Sequence, residues 1–367
     1  MSQTTEKGTK DATTADDDHE NSHDPPLKLR LKLVSMNLSE CKPSAEAPSS
    51  WNLDRVTEAI QEELLKSDPD ILALQECPSE YFLGKKQDGG VEGWLEKTFG
   101  GNSNSNSNSN GGYSTIGTKR SHAGYVALLV KKELLLSTNQ GQGQVQVSVS
   151  RADVPFMVPA VMAKLKFHLS SATTSVMIAS CHLEPFGEGA SLRKQQMENM
   201  VLASAPSSLP LIVAGDTNMR VAEDYTMEHE LGFQDAWKLA GADPATKFTW
   251  DTLDHRTGNQ DDGSYNCYYG QNTRQYHSRY DRVYIHTHPQ NNENLNVSVP
   301  SFQLIANRPI APSQTHFLSD HFGIATTILL HWKENDNGNG NDNGSSKEKD
   351  EDDEDEDRKA KRRKHTY

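Results

Sequence analysis

The stretch Leu209-Pro210-Leu211-Ile212-Val213-Ala214-Gly215-Asp216-Thr217-Asn218 decides how the rest of the chain is read. Its first six residues are small and apolar, as in a buried strand, and its polar end carries a carboxylate (Asp216) and a carboxamide (Asn218) on alternating positions. An Asp there can take a proton or hold a cation. An Asn can donate to a phosphoryl oxygen without adding repulsive charge. Taken alone, a Gly-Asp turn after a strand is common. Its weight comes from other polar residues in the same kind of place. A strand-like run that starts at Leu27 ends at Met36-Asn37, and Ile71–Leu74 ends at Gln75-Glu76. Ser175–Ser180 runs into His182, and Ser319-Asp320-His321 immediately precedes Phe322–Leu330. Asp281 sits inside Tyr280-Asp281-Arg282-Val283-Tyr284. Each of these has a plain explanation as a turn residue, a surface histidine or an Asp paired with Arg282. Their repeated position at the ends of apolar strands is what points to one shared site.

Working outward, Leu29, Leu31 and Leu33 alternate with polar residues as a strand does. Ser50 is placed to cap a helix whose Leu53, Val56, Ile60 and Leu64 share one face. Gly124–Val130, Val158–Phe167 and Tyr280–Ile285 read as further strands, and Ala190–Ala203 as a helix. Many strands with few helices predict an α/β (α+β) four-layer sandwich: two packed mixed β-sheets flanked by helices, in a single catalytic domain. Asn102–Asn110, an Asn-Ser repeat, and the Gln- and Gly-rich residues 140–150 read as irregular excursions.

Apolar side chains are scarce at both ends. Residues 1–27, net −5, read as a disordered acidic tail; residues 333–367, net −3, hold eight consecutive acids (Asp350–Asp357) and then a basic Lys359–Lys364 cluster. The chain's net −14 leaves −6 for residues 28–332, a stretch long enough to bury a large core. A domain of that charge, if it handles nucleic acid, must gather its cations locally or recruit metal ions. The four cysteines (Cys41, Cys77, Cys181, Cys267) lack zinc or redox spacing and suit packed thiols. With a polar N-terminus and no membrane-length apolar run, a reducing cell interior is the expectation, with no membrane association. The basic cluster is consistent with import into the nucleus, against the alternative of a solvated basic end.

The set Leu74-Gln75-Glu76, His182-Leu183-Glu184, Gly215-Asp216-Thr217-Asn218-Met219-Arg220, Thr249-Trp250-Asp251-Thr252, Tyr280-Asp281-Arg282-Val283 and Ser319-Asp320-His321 resembles the endonuclease/exonuclease/phosphatase superfamily of metal-dependent phosphoesterases. The resemblance spans about residues 28–332. Within it the chain is most similar to enzymes that hydrolyse 5′-tyrosyl-DNA phosphodiester bonds in the repair of topoisomerase-linked DNA ends. Thr217, Arg220 and the Thr249–Thr252 string carry most of that discrimination.

The resemblance implies a monomeric Mg²⁺ enzyme, with Mn²⁺ as a substitute, acting on DNA 5′ ends that bear a tyrosyl or peptide adduct. It implies Glu76 as the principal metal ligand, with Asn37 and Asp320 contributing. Asp216 becomes the general base and Asn218 a phosphate ligand. His182 donates to a developing oxyanion, and His321, kept charged by Asp281, contacts the same phosphate. Trp250 and Tyr125 line the DNA groove, Arg220 steadies the end, and Arg193 approaches the scissile phosphate. Three departures stand beside these positions. Ser39 replaces a frequent Asp, Pro185 replaces a frequent Ser, and Leu253–Ser278 is a long polar stretch that could reshape the groove. Other activities of the superfamily remain open at this point: abasic-site endonuclease, RNA phosphodiesterase or deadenylase, or a phosphatase. So does a non-catalytic scaffold.

Overall fold

In the computed structural model, residues 28–333 are described apart from 46, 84–88, 102–111, 136–145, 169–172, 254–265, 271–273, 289–293 and 311–315. The tails expected at 1–27 and 333–367, with the basic cluster, lie outside the described residues except for Lys333, and so does the Asn-Ser repeat.

The strands among the described residues are β1 (Lys28–Asn37), β2 (Ile71–Cys77), β3 (Tyr113–Arg120), β4 (Tyr125–Lys131), β5 (Gln146–Ala152), β6 (Ala160–His168), β7 (Thr173–His182), β8 (Leu211–Asp216), β9 (Phe233–Asp235), β10 (Trp250–Asp251), β11 (His277–Ser278), β12 (Asp281–His286), β13 (Leu295–Ile305) and β14 (Gly323–Trp332). The helices are α1 (Leu53–Leu65), α2 (Glu80–Leu83), α3 (Gly90–Phe99), α4 (Lys132–Leu135), α5 (Ala190–Ser204) and α6 (Ala236–Leu239). One six-stranded sheet runs β13-β14-β1-β2-β4-β3 and the other β5-β6-β7-β8-β12-β9, with β10-β11 as a separate ribbon. Both large sheets are mixed: β1–β2 and β7–β8 pair parallel and their neighbours antiparallel.

Strand alternation explains why the sheets face each other. Leu29, Leu31 and Leu33 of β1 and Ile71 and Ala73 of β2 join Ile178, Ile212, Ala214, Val283 and Ile285 of the other sheet in one core. The intervening residues Val34, Met36, Leu72 and Leu74 point the other way and are covered by α1 and α3 through Val56, Ile60, Leu64, Trp94 and Leu95. On the far side, Met177, Ala179, Leu211 and Val213 pack under Met197 and Met200 of α5. That gives the expected four layers. Burial of Val56, Ile60 and Leu64 stabilises the α1 layer by about 1.5–3 kcal/mol per side chain.

Two local expectations change. α1 is capped by Asn52, whose Oδ1 accepts the Arg55 N–H at 3.0 Å, not by Ser50 two residues earlier. Residues 146–150 are not irregular; they form most of β5, where Val147 is buried opposite Phe167 of β6. The period-2 signal there is only three valines long (Val145, Val147, Val149) and is diluted by the Gln and Gly before it.

Candidate active site

Strand register brings three of the expected residues into one row. His182 at the end of β7 is the partner of Asp216 at the end of β8, and Asp216 is the partner of Asp281 at the start of β12. Across the interface between the sheets, Asn37 closes β1 beside Gln75 of β2. Two backbone features aim this row. Gly215 has φ 152°, and a Cβ there would lie 2.0 Å from the Cys181 carbonyl oxygen, so only glycine lets β7 and β8 approach this closely. Between Leu74 and Cys77 the β2–β4 register shifts, and Glu76 takes φ 46° within that bulge, which turns its carboxylate toward Asn37.

Asn37 ties the carboxylates together. Its Oδ1 accepts the Ser39 N–H at 2.9 Å, which fixes the amide so that Nδ2 donates to Glu76 Oε1 and to Asp216 Oδ2, each at 3.1 Å. Asn37 therefore presents its amide N–H groups to both carboxylates. The Ser39–Cys41 turn that delivers this N–H has φ of 48°, 53° and 54° in succession and is buried. Such a run of left-handed residues persists only where the surroundings dictate it. Asn218, at φ 52°, donates its N–H to Asp216 Oδ1 at 2.9 Å and one Nδ2 proton to the Leu183 carbonyl at 3.1 Å. The other amide proton is free of that bond and available to a ligand.

His321 and His182 flank Asp216, with Nε2 atoms 3.7 and 3.4 Å from Asp216 Oδ2. His321 Nδ1 lies 2.7 Å from Asp281 Oδ2. Burial alone would neutralise this imidazole, but Asp281 and Asp216 outweigh it and raise its pKa well above the usual value. Arg282 is not the partner of Asp281; its guanidinium goes to Asp224 and to the Tyr284 hydroxyl. Among the described residues no carboxylate meets the far nitrogen of His182. Its Nδ1 faces the Ser121 hydroxyl at 3.3 Å and its ring packs on His122, 4.0 Å between centroids. Burial dominates here and lowers its pKa to about 3. For Asp216, burial raises the pKa, but the two histidines and the Asn37 amide together bring it below its ordinary value.

Glu76 is different. Burial and the nearby Asp320 carboxylate push its pKa up to about 8, and the Asn37 amide compensates only in part. An anion is wanted at this point only if a cation shares the space. The donor set, Glu76 with Asp320 close by, fits a hard divalent ion that takes one or two carboxylates and keeps its waters. Among the described residues Asp216, Asp281 and His321 also bring ligand atoms within 4.8 Å of one another. In that trio, however, the imidazole is held protonated and has no lone pair to give, so it acts as a charged donor.

The remaining expected residues separate. Trp250 is half-buried with its ring edge-on to His321 (5.1 Å between centroids), and Tyr276, Tyr280 and Tyr269 surround it at 5.8, 6.1 and 6.2 Å. Arg220 lies over the Tyr280 ring at 4.6 Å. Tyr125 follows Gly124, where glycine is required both by φ of 59° and because a Cβ would meet the Cys77 carbonyl oxygen at 2.5 Å; the Tyr125 hydroxyl bonds to Glu80. Arg193 does not reach the site. It is fully buried, with Nε and Nη2 on the two Glu223 oxygens (2.9 and 2.7 Å) and Nη1 on the carbonyls of Glu184 and Phe186 (2.8 and 2.6 Å). It spans the loops after β7 and β8 as a structural tie.

Several residues were absent from the sequence reading. Thr249 Oγ1 accepts the N–H groups of Tyr280 and Asp281 at 3.1 and 2.9 Å, and Ser319 Oγ donates to the Asn37 carbonyl at 2.8 Å. Both stand inside the quoted motifs, which was the available signal. Tyr269 donates to Asp320 Oδ2 at 2.6 Å from within the long polar stretch, where nothing in the sequence marks it.

Comparison with known proteins bears on the fold and the family. No curated protein matches the chain. Among solved structures, D. rerio TDP2 complexed with single strand DNA product superposes with a TM-score of 0.52 at 18% identity, over 82% of this chain and 98% of that one. A D. rerio TDP2 humanized by 14 mutations gives 0.51 at 18% identity over 82% and 98%. An endonuclease/exonuclease/phosphatase family protein of Bacteroides thetaiotaomicron gives 0.50 at 14% identity over 83% and 98%. At such identities the likeness is one of fold. The sequence profile of the Endonuclease/Exonuclease/phosphatase family, however, matches residues 46–321, three quarters of the chain and every site residue above except Asn37. This chain belongs to the endonuclease/exonuclease/phosphatase family of metal-dependent hydrolases.

Proposed function

We propose that this protein is a Mg²⁺-dependent phosphodiesterase that hydrolyses 5′-tyrosyl-DNA phosphodiester bonds. The observation that carries the reading is the row Asp281–His321–Asp216 set edge-on to Trp250. A charged donor and a buried base stand side by side, next to an aromatic wall suited to a nucleotide. The likeness to tyrosyl-DNA phosphodiesterase 2 in the Gly215–Arg220 and Thr249–Thr252 strings supports the choice of substrate, as does the neighbouring fold that holds a single strand DNA product.

Asp216, ionised at neutral pH, orients the attacking water and takes its proton. Asn37 holds the Asp216 carboxylate in place through Nδ2. His182 Nε2 lies 3.4 Å from Asp216 Oδ2 and 3.8 Å from Glu76 Oε1, so this nitrogen is the one that faces the reacting groups. His182, the free amide proton of Asn218 and the His321 imidazolium then neutralise charge growing on the phosphoryl oxygens. Glu76 and Asp320 would hold the Mg²⁺, which supplies further charge neutralisation when bound. A tyrosyl leaving group departs as a phenolate of pKa about 10 and needs little help from a general acid.

The test compares an oligonucleotide bearing a 5′-phosphotyrosine with a duplex containing an abasic site, each with Mg²⁺ and with EDTA. The reading expects Mg²⁺-dependent release of tyrosine to leave a 5′-phosphate. Cleavage confined to the abasic duplex would sink it.

A further inference from the structure

Phe186 is 66% exposed yet sits at φ 66°, ψ 162°, a conformation ordinarily left to glycine. It is held there from beneath. The buried Arg193 guanidinium takes the Phe186 and Glu184 carbonyls on Nη1 while both Glu223 oxygens fix its other side. The next turn of α5 adds a second tie. Gln196, also buried, accepts the Glu184 N–H at 3.1 Å and donates to the Met157 carbonyl at 3.3 Å. This brings the loop before β6 against the loop after β7, and there Phe156 and Met157 are 91% and 67% exposed. Three large apolar side chains thus stand in solvent on two loops braced by buried polar groups. Isolated exposed apolar residues need no explanation, but a braced group beside a catalytic row does.

The order of strands says what the group faces. Along β6-β7-β8-β12, Phe156 and Met157 precede β6, and Phe186 follows β7 four residues after His182. Asp216 closes β8, and Trp250 stands beyond it against His321, whose partner Asp281 opens β12. The apolar group and the Trp250 wall therefore lie on opposite sides of Asp216. Their charge balance differs too. Residues 153–157 and 184–188 contain Asp153, Glu184 and Glu188, and the cation that meets them is Lys119, whose Nζ donates to the Pro155 carbonyl at 3.1 Å. On the Trp250 side, Arg220, Lys247 and Arg274 lie over Tyr280, Phe248 and Tyr276. A polyanionic strand fits the second side, where three cations stack on aromatic rings, better than the first. A phosphodiester with DNA on one side of its phosphorus carries its leaving group on the other.

We propose that Phe186, Phe156 and Met157 form a docking platform for the polypeptide portion of the adduct, taking apolar side chains that flank the linked tyrosine. This deepens the reading given under Proposed function and rests on it. It also accounts for Arg193: the residue acts as a positioning group that presents Phe186.

The test uses the full chain and three forms of one 5′-adducted oligonucleotide. The first carries tyrosine alone, the second a ten-residue peptide with apolar residues beside the tyrosine, and the third the same peptide with serines in their place. Wild type is expected to show a lower KM for the apolar peptide than for the other two. Phe186→Ala is expected to raise that KM by about tenfold, in line with loss of one buried aromatic contact. The kcat and the KM for the single-tyrosine adduct should stay within about twofold, a level at which no contact loss would register. Phe156→Ala, on the other loop, should act in the same direction and decides the matter if the Phe186 variant melts early. Equal KM rises on all three adducts would overturn the proposal, and so would no rise at all. A KM rise that instead grows with oligonucleotide length would assign the surface to nucleic acid and also overturn it. Wild type inactive on every adduct would defeat the functional reading itself, and the docking platform with it.

Discussion

His182 and His321 occupy equivalent places on either side of Asp216, buried to a similar degree and within 3.4 and 3.7 Å of the same oxygen. They nevertheless carry opposite charge states. His321 has a carboxylate at 2.7 Å on its far nitrogen and is held as an imidazolium, whereas His182 has a hydroxyl at 3.3 Å and is held neutral. The difference teaches that burial by itself sets the direction toward the neutral ring, and that Asp281 behind the ring, acting with Asp216 and Asp320, reverses it. It also gives Asp216 one charged and one uncharged neighbour. Two imidazoliums would stabilise its anion so far that it became a poor base, and two neutral rings would leave a buried carboxylate poorly compensated.

The largest effect is expected from removing what the two histidines share. Asp216→Asn keeps the shape of the row and abolishes the proton acceptor, so kcat on the 5′-phosphotyrosyl oligonucleotide should fall by about 10³–10⁴. Activity within tenfold of wild type in that assay would show that the base lies elsewhere. Next comes the conversion of His321 into a second His182. Asp281→Asn removes the largest cause of the raised pKa, leaving Asp216 and Asp320 alone to oppose burial, so the pKa should fall. The sign follows: wild-type His321 stays protonated across neutral pH, whereas in the variant it loses its proton as pH rises. The kcat should fall by about 10²-fold at pH 7.5 and by less at pH 5.5, so that the pH profile slopes down toward alkali. A uniform loss at both pH values would mean that Asp281 holds geometry and not charge.

How far the site was legible depended on where its residues stand. Asn37, Glu76, His182, Asp216 and the Asp320-His321 pair could be found because each abuts an apolar strand, and strand ends are where sheets deliver polar groups. The two-sheet sandwich was legible for the same reason, since Leu29, Leu31 and Leu33 alternate cleanly. What failed was the inference from a residue's type to its neighbour. Arg193 and Arg220 are both arginines near acidic residues in sequence. Only the fold shows that Glu223 takes Nε and Nη2 of Arg193 while accepting the backbone N–H of Arg220. Tyr269 and Ser121 reach Asp320 and His182 from loops far away in the chain, and no periodicity reports such contacts. Nor could the amide orientation of Asn37 be read, because it is set by a turn with three successive left-handed residues.

The smallest expected effect comes from the opposite conversion, giving His182 what His321 has. Ser121→Asp replaces the hydroxyl facing Nδ1 with a carboxylate on a half-buried loop. Because that position is only partly enclosed, solvent screens the new charge and the shift should be modest. The His182 pKa should rise toward the ordinary imidazole range, detectable as ring-proton titration by NMR above the pH at which wild type is silent. The kcat should fall by about two- to tenfold as the Asp216 anion becomes over-stabilised, a far weaker response than that of Asp281→Asn. If instead His182 titrates as in wild type, the neighbouring His122 ring and the burial of the site outweigh any partner on Nδ1. The contrast between the two histidines would then lie in their packing, and a carboxylate behind the ring would not be its sufficient cause.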